Sequence, residues 1–126
     1  MITEDYVSFE TAKLLKEKVF EEGCRQYWYK GNIVFSRNEI RNGELDNYED
    51  KGWTAPTLQM VMKWLREVYE LYIEISLSCD REDKNAKIFD TSIFNVQNQR
   101  YKKLSNIQGY EQACESAILY CLQNLI

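Results

Sequence analysis

The sequence predicts an α+β fold, with three amphipathic helices packed on a mostly antiparallel sheet of about five strands in the order α-β-β-α-β-β-β-α. Three observations point there. Apolar residues recur at helical spacing in three separate segments, alternate with polar ones from Leu71 to Cys79, and flank a glycine turn between two aromatic and β-branched runs.

The first helix is expected over about residues 9–22. Ser8 is placed to cap it, Phe9, Ala12, Leu15 and Val19 carry the apolar rhythm, and Gly23 follows as a C′ residue. From Cys24 to Ser36, Tyr27-Trp28-Tyr29 and Ile33-Val34-Phe35 read as a hairpin divided by Gly31-Asn32, because glycine first in a two-residue turn suits the twist of paired strands. Residues 37–53 show no period and contain Gly43 and Gly52, which predicts a long loop.

Thr54-Ala55-Pro56-Thr57 opens the second helix in this reading, with Thr54 as cap and proline in the first turn. Leu58, Val61, Met62, Leu65, Val68 and Tyr69 form its apolar side, widened by Met60 and Trp64. Leu71, Ile73, Ile75, Leu77 and Cys79 then alternate with Tyr72, Glu74, Ser76 and Ser78, so one strand face enters the core and the other meets water or a second sheet. Asp80 to Asn85 turns the chain. Lys87 to Val96 follows as a strand whose phase slips after Ile88-Phe89, as at a bulge, and a short third strand is expected near Arg100 to Leu104. The last helix, Tyr110 to about Leu125, lines up Ala113, Cys114, Ala117, Ile118, Cys121, Leu122 and Leu125. The whole reads as a single domain: 54–126 as an α-β-β-β-α unit, 1–36 as a helix plus hairpin packed on it, and 37–53 as the loop between them.

Composition narrows the chemistry. At 126 residues the chain can bury roughly two thirds of its unfolded surface and needs no metal or disulfide staple. Its net charge of −4 is spread along the sequence and offers no electrostatic match to a polyanion. A cytoplasmic protein is expected, because the start lacks a basic and then apolar leader and no segment is long and apolar enough for a span. Cys24, Cys79, Cys114 and Cys121 form no C-x-x-C pair. The last two, seven residues apart on one helix, would be roughly 10 Å apart, too far for a disulfide. They read as small buried residues in a reducing compartment.

The chain contains no histidine, which removes the usual general base and the commonest metal ligand. Asp80, Glu82, Asp83 and Asn85 gather oxygens, yet Lys84, Asn85 and Thr91 stand where a calcium loop needs an oxygen ligand, a glycine and a bidentate acid. A solvated turn is expected there. Glu67, Glu70 and Glu74 straddle a helix end and share no evident cleft. No cofactor or metal is therefore expected, and no catalytic residue is assigned.

Three blocks carry a resemblance: Tyr6 to Lys18 (YVSFETAKLLKEK), Thr54 to Ser76 (TAPTLQMVMKWLREVYELYIEIS) and Tyr110 to Ile126 (YEQACESAILYCLQNLI). Together they resemble a family of small proteins encoded in phages and prophages of Bacteroides-type gut bacteria. That family has no assigned activity, so the resemblance implies an origin and a compact fold, and it carries no functional residue. A fainter, fold-level likeness links 54–126 to phage α-β-α sandwich domains.

Two clusters stand out as a candidate interaction surface. Tyr27, Trp28 and Tyr29 lie near Arg25, Lys30, Arg37, Arg41 and Trp53, and Arg100, Tyr101, Lys102 and Lys103 form a second basic and aromatic patch. Aromatic packing is the plainest role for the first cluster, since alternation sends Trp28 to one face and Tyr27 and Tyr29 to the other. The functional expectation is a non-enzymatic phage or prophage accessory module that meets a protein partner through the hairpin aromatics and the long loop. The alternative is weak nucleic-acid binding through Arg100, Lys102, Lys103 and the Tyr27–Tyr29 strand. No membrane partner is expected, and a homodimer is left open.

Overall fold

A computed structural model describes residues 2–45, 52–78 and 87–126. Among the described residues the architecture is α+β, with four helices and six strands arranged in two antiparallel three-stranded sheets, so the expected class holds while the single sheet of about five strands becomes two. The chain divides into two compact units, Met1–Thr57 and Leu58–Ile126.

In the first unit, helix α1 (Phe9–Glu17) is capped as expected, the Ser8 side chain accepting the Thr11 N–H at 3.2 Å. It stops well before Gly23. Val19 takes a left-handed conformation (φ 60°), its N–H bonds the Lys16 carbonyl, and the N–H of Phe20 reaches back to Leu15 at 2.9 Å. This paired closure ends a helix while tucking the next apolar residue under it. Leu15 and Phe20 are both fully buried, so burial of Phe20 overrides the glycine signal.

Strands β1 (Cys24–Tyr29) and β2 (Asn32–Ile40) form the expected hairpin, and β3 (Trp53–Thr54) pairs on the other side of β1. The turn residues are Lys30 and Gly31, not Gly31 and Asn32. Both have positive φ (48° and 81°), and Tyr29 pairs with Asn32 across a two-residue type I′ turn. The expected loop is largely built: residues 37–40 extend β2, α2 (Asn42–Leu45) follows as one helical turn, and 46–51 lie outside the described residues. Thr54 does not cap a helix. It pairs with Tyr27, its own N–H is held by the Asn42 side chain, and Ala55 N–H bonds the Gln26 carbonyl.

In the second unit, α3 (Leu58–Tyr69) precedes β4 (Leu71–Leu77), β5 (Ile88–Asn95), β6 (Arg100–Gln108) and α4 (Tyr110–Asn124). Val68, expected on the apolar side of α3, is exposed. The sheet order is β4-β5-β6, and α4 lies against all three strands and touches α3. Ile93 at the centre of β5 is buried on that side, and Ala113 and Ala117 of the small-residue stripe on α4 are fully buried. β6 is longer than expected, reaching Gln108. The bulge falls on β6 and not on β5: Phe89 pairs with Ile107 but Thr91 with Leu104, and Asn106 sits at φ 60°. β5 therefore alternates without a slip. Cys79 and the Asp80, Glu82, Asp83 and Asn85 turn lie outside the described residues.

Candidate functional site

The first cluster separates by strand alternation, as its spacing requires. Trp28 and Trp53 are direct cross-strand partners on one face of the sheet. Phe9, from the first turn of α1, meets both rings edge-on, with centroids 5.9 Å from Trp28 and 5.0 Å from Trp53. The Trp28 indole N–H donates to the Val7 carbonyl at 3.2 Å. These rings hold α1 on its sheet, because edge-to-face pairs and a satisfied indole are what half-buried aromatics need. Gly52 lets the chain run this close: a side chain there would sit 3.1 Å from the Trp28 carbonyl oxygen.

Tyr27 and Tyr29 occupy the opposite face, half-buried, with ring centroids 6.3 Å apart. Arg37 is exposed on β2. Arg41 lies 4.0 Å from Glu44 in an exposed pair of little energetic weight. Asn42, which no motif in the sequence marks, organises this side. It is 1% exposed, its Nδ2 donates to the Phe20 carbonyl at 2.8 Å, and its Oδ1 accepts the Thr54 N–H at 2.9 Å.

The second cluster also divides. On β6, Lys102 points to the helix-covered side, where its ammonium lies over the Tyr120 ring, and exposed Arg100 pairs opposite Asn95. Tyr101 and Lys103 point to the other side, where Lys103 lies 3.9 Å from Asp90. The three cations thus do not make one continuous basic surface.

What Tyr101 joins instead is a row of aromatics. Tyr72 on β4 pairs with Phe94 on β5, and Phe94 pairs with Tyr101 on β6. Directly paired residues share a face, so the three rings stand side by side on the side of the sheet away from α4. They are 49%, 44% and 66% exposed. The next row, two residues along each strand, is Glu74, Ser92 and Lys103. An acid and a base thus end a row whose centre is a small hydroxyl. Tyr72 and Phe94 were absent from the sequence candidates. Alternation across Leu71 to Leu77 was the available signal for Tyr72, while the misplaced bulge hid Phe94.

No protein-family model, curated protein or solved structure matches the chain.

Burial holds two of the described thiols protonated at neutral pH. Cys24 is pushed up to about 11, mainly by burial, with the nearby Glu22 and Glu39 carboxylates adding to the rise. The Thr54 hydroxyl beside it opposes this, although its Oγ1 falls short of hydrogen-bond geometry. Cys121 is pushed up to about 12 by burial. Among the described residues no cluster of acids and cysteines could hold a metal ion, and no helix is long and apolar enough to cross a membrane.

Proposed function

We propose that the chain is a non-enzymatic accessory protein of phage or prophage origin, working in the cytoplasm, and that it receives a protein partner on the open face of β4-β5-β6. The observation carrying this reading is the exposed Tyr72–Phe94–Tyr101 row. Cross-strand aromatic pairs contribute only about 0.2–1 kcal/mol each to the sheet, and such contiguous exposed apolar surface characteristically serves association. The proposed surface moves from the hairpin, whose Trp28 packs with Phe9 and Trp53 within the first unit, to the second sheet.

The origin rests on the three resembling blocks. They fall on α1, on β3 through β4, and on α4, which build the scaffold and leave most of the aromatic row to other residues. Nucleic acid is the weaker reading because Glu74 flanks the rings, the Asp90 carboxylate lies beside Lys103, and Lys102 faces the other way.

Site-specific crosslinking tests the proposal. A photoreactive phenylalanine derivative replacing Tyr101 should capture protein in producing cells, whereas the same group at Lys63, on the wet side of α3, should not. Equal capture at both positions, or capture of RNA or DNA at position 101, would reject it.

A further inference from the structure

We propose that the occupant of this face is a second copy of the same chain, stacked sheet to sheet about a two-fold axis that runs along β5. The proposal rests on the reading of the open face as a protein-binding surface and deepens it by naming the partner.

The argument is self-complementarity. An isologous interface requires each residue on one side of the axis to suit the residue it meets from the other. An axis along the central strand exchanges β4 with β6 and leaves β5 opposite itself. Phe94 then meets Phe94, and Tyr72 meets Tyr101, so the aromatic row closes on its own copy. In the adjacent row Ser92 meets Ser92, and Glu74 of each copy meets Lys103 of the other. One operation thus satisfies an apolar row and a charged row together. A random partner surface would have to match both.

Asp90 is the group that this axis would set opposite its own copy. Its own chain holds it: Lys103 lies 3.9 Å from one carboxylate oxygen, and the Asn106 N–H donates to the other at 3.3 Å. At 20% side-chain exposure it is largely withdrawn from the face. Lys103, at 51%, keeps its ammonium available to reach Glu74 of the copy. Stacked sheets lie about 10 Å apart, a gap that facing Phe and Tyr rings fill. Three strands of 7, 8 and 9 residues make a small face. The dissociation constant should therefore be on the order of micromolar.

Sedimentation equilibrium of the full chain over nanomolar to millimolar concentration is the experiment. A reversible monomer–dimer equilibrium is expected. Phe94→Ser should weaken it at least tenfold, and so should Glu74→Lys and Lys103→Glu separately, while the double variant E74K/K103E should recover most of the affinity. Circular dichroism and thermal melts establish that each variant folds, and Tyr72→Ser provides a second apolar probe should F94S fail to fold. A chain that stays monomeric throughout overturns the proposal, as does a dimer indifferent to F94S or one whose charge reversals do not rescue each other. If the chain is monomeric yet F94S abolishes crosslinking to a different protein, the homodimer falls and the binding face stands. If that crosslinking survives F94S, the face itself is wrong.

Discussion

Asn42 shows how much one buried amide can organise. Its two polar ends bridge the Phe20 carbonyl, just past α1, and the Thr54 N–H on β3, neither of which is near it in sequence. Asn42→Ala removes a donor and an acceptor at once and leaves two backbone groups without their partner. Each such loss costs about 1–3 kcal/mol when the group is buried, so a destabilisation of roughly 2–4 kcal/mol is expected in urea titration at neutral pH. A loss below about 0.5 kcal/mol would mean that water replaces the amide and that the bridge is incidental. Composition could not reveal this role, since an asparagine between Arg41 and Gly43 looks like any turn residue until its distant partners are known.

At the scale of elements, the legible features were those written in local periodicity. The Ser8 cap, the alternation from Leu71 to Leu77 and the small-residue stripe on α4 each depend on neighbours a few residues away. Features that depend on distant pairing were not legible. The division into two sheets, the conversion of Thr54 from cap to strand and the position of the β6 bulge all follow from partners remote in sequence. The end of α1 is the instructive middle case. Gly23 gives the usual stop signal, yet Phe20 must be buried, so the helix turns at Val19 and places a β-branched residue at φ 60°. That conformation strains any residue branched at Cβ, and Val19 is exposed, so its side chain returns little packing. Val19→Gly should therefore raise stability by about 1 kcal/mol, net of the added flexibility of the unfolded chain. Thermal or urea unfolding reads this directly. A neutral or destabilising result would mean that Val19 is not held left-handed in solution.

Taken as a whole, the chain places one of its shifted thiols in each compact unit, Cys24 in the first and Cys121 in the second, and this couples stability to alkaline pH throughout the molecule. Both folded values, about 11 and about 12, lie above the ordinary 9.0, so the native state holds these protons after the unfolded chain has released them. The stability due to the neutral thiols is complete below pH 9, falls as pH rises beyond it, and is exhausted once each folded value is passed. The slope should be on the order of 1 kcal/mol per pH unit for each thiol. Other groups also titrate in this range, so the informative quantity is the difference between the wild type and a C24A/C121A variant. Removing buried sulfur atoms destabilises the variant at about pH 8, where both thiols are neutral in both states. Above pH 9 the wild type loses ground that the variant cannot lose, and the gap between their urea midpoints should narrow steadily and then reverse or close by about pH 11. Single variants separate the units, with Cys121→Ala retaining the Cys24 response, which ends about one pH unit earlier. A gap independent of pH would mean that neither thiol is shielded from water, and the buried positions assigned to β1 and α4 would have to be redrawn.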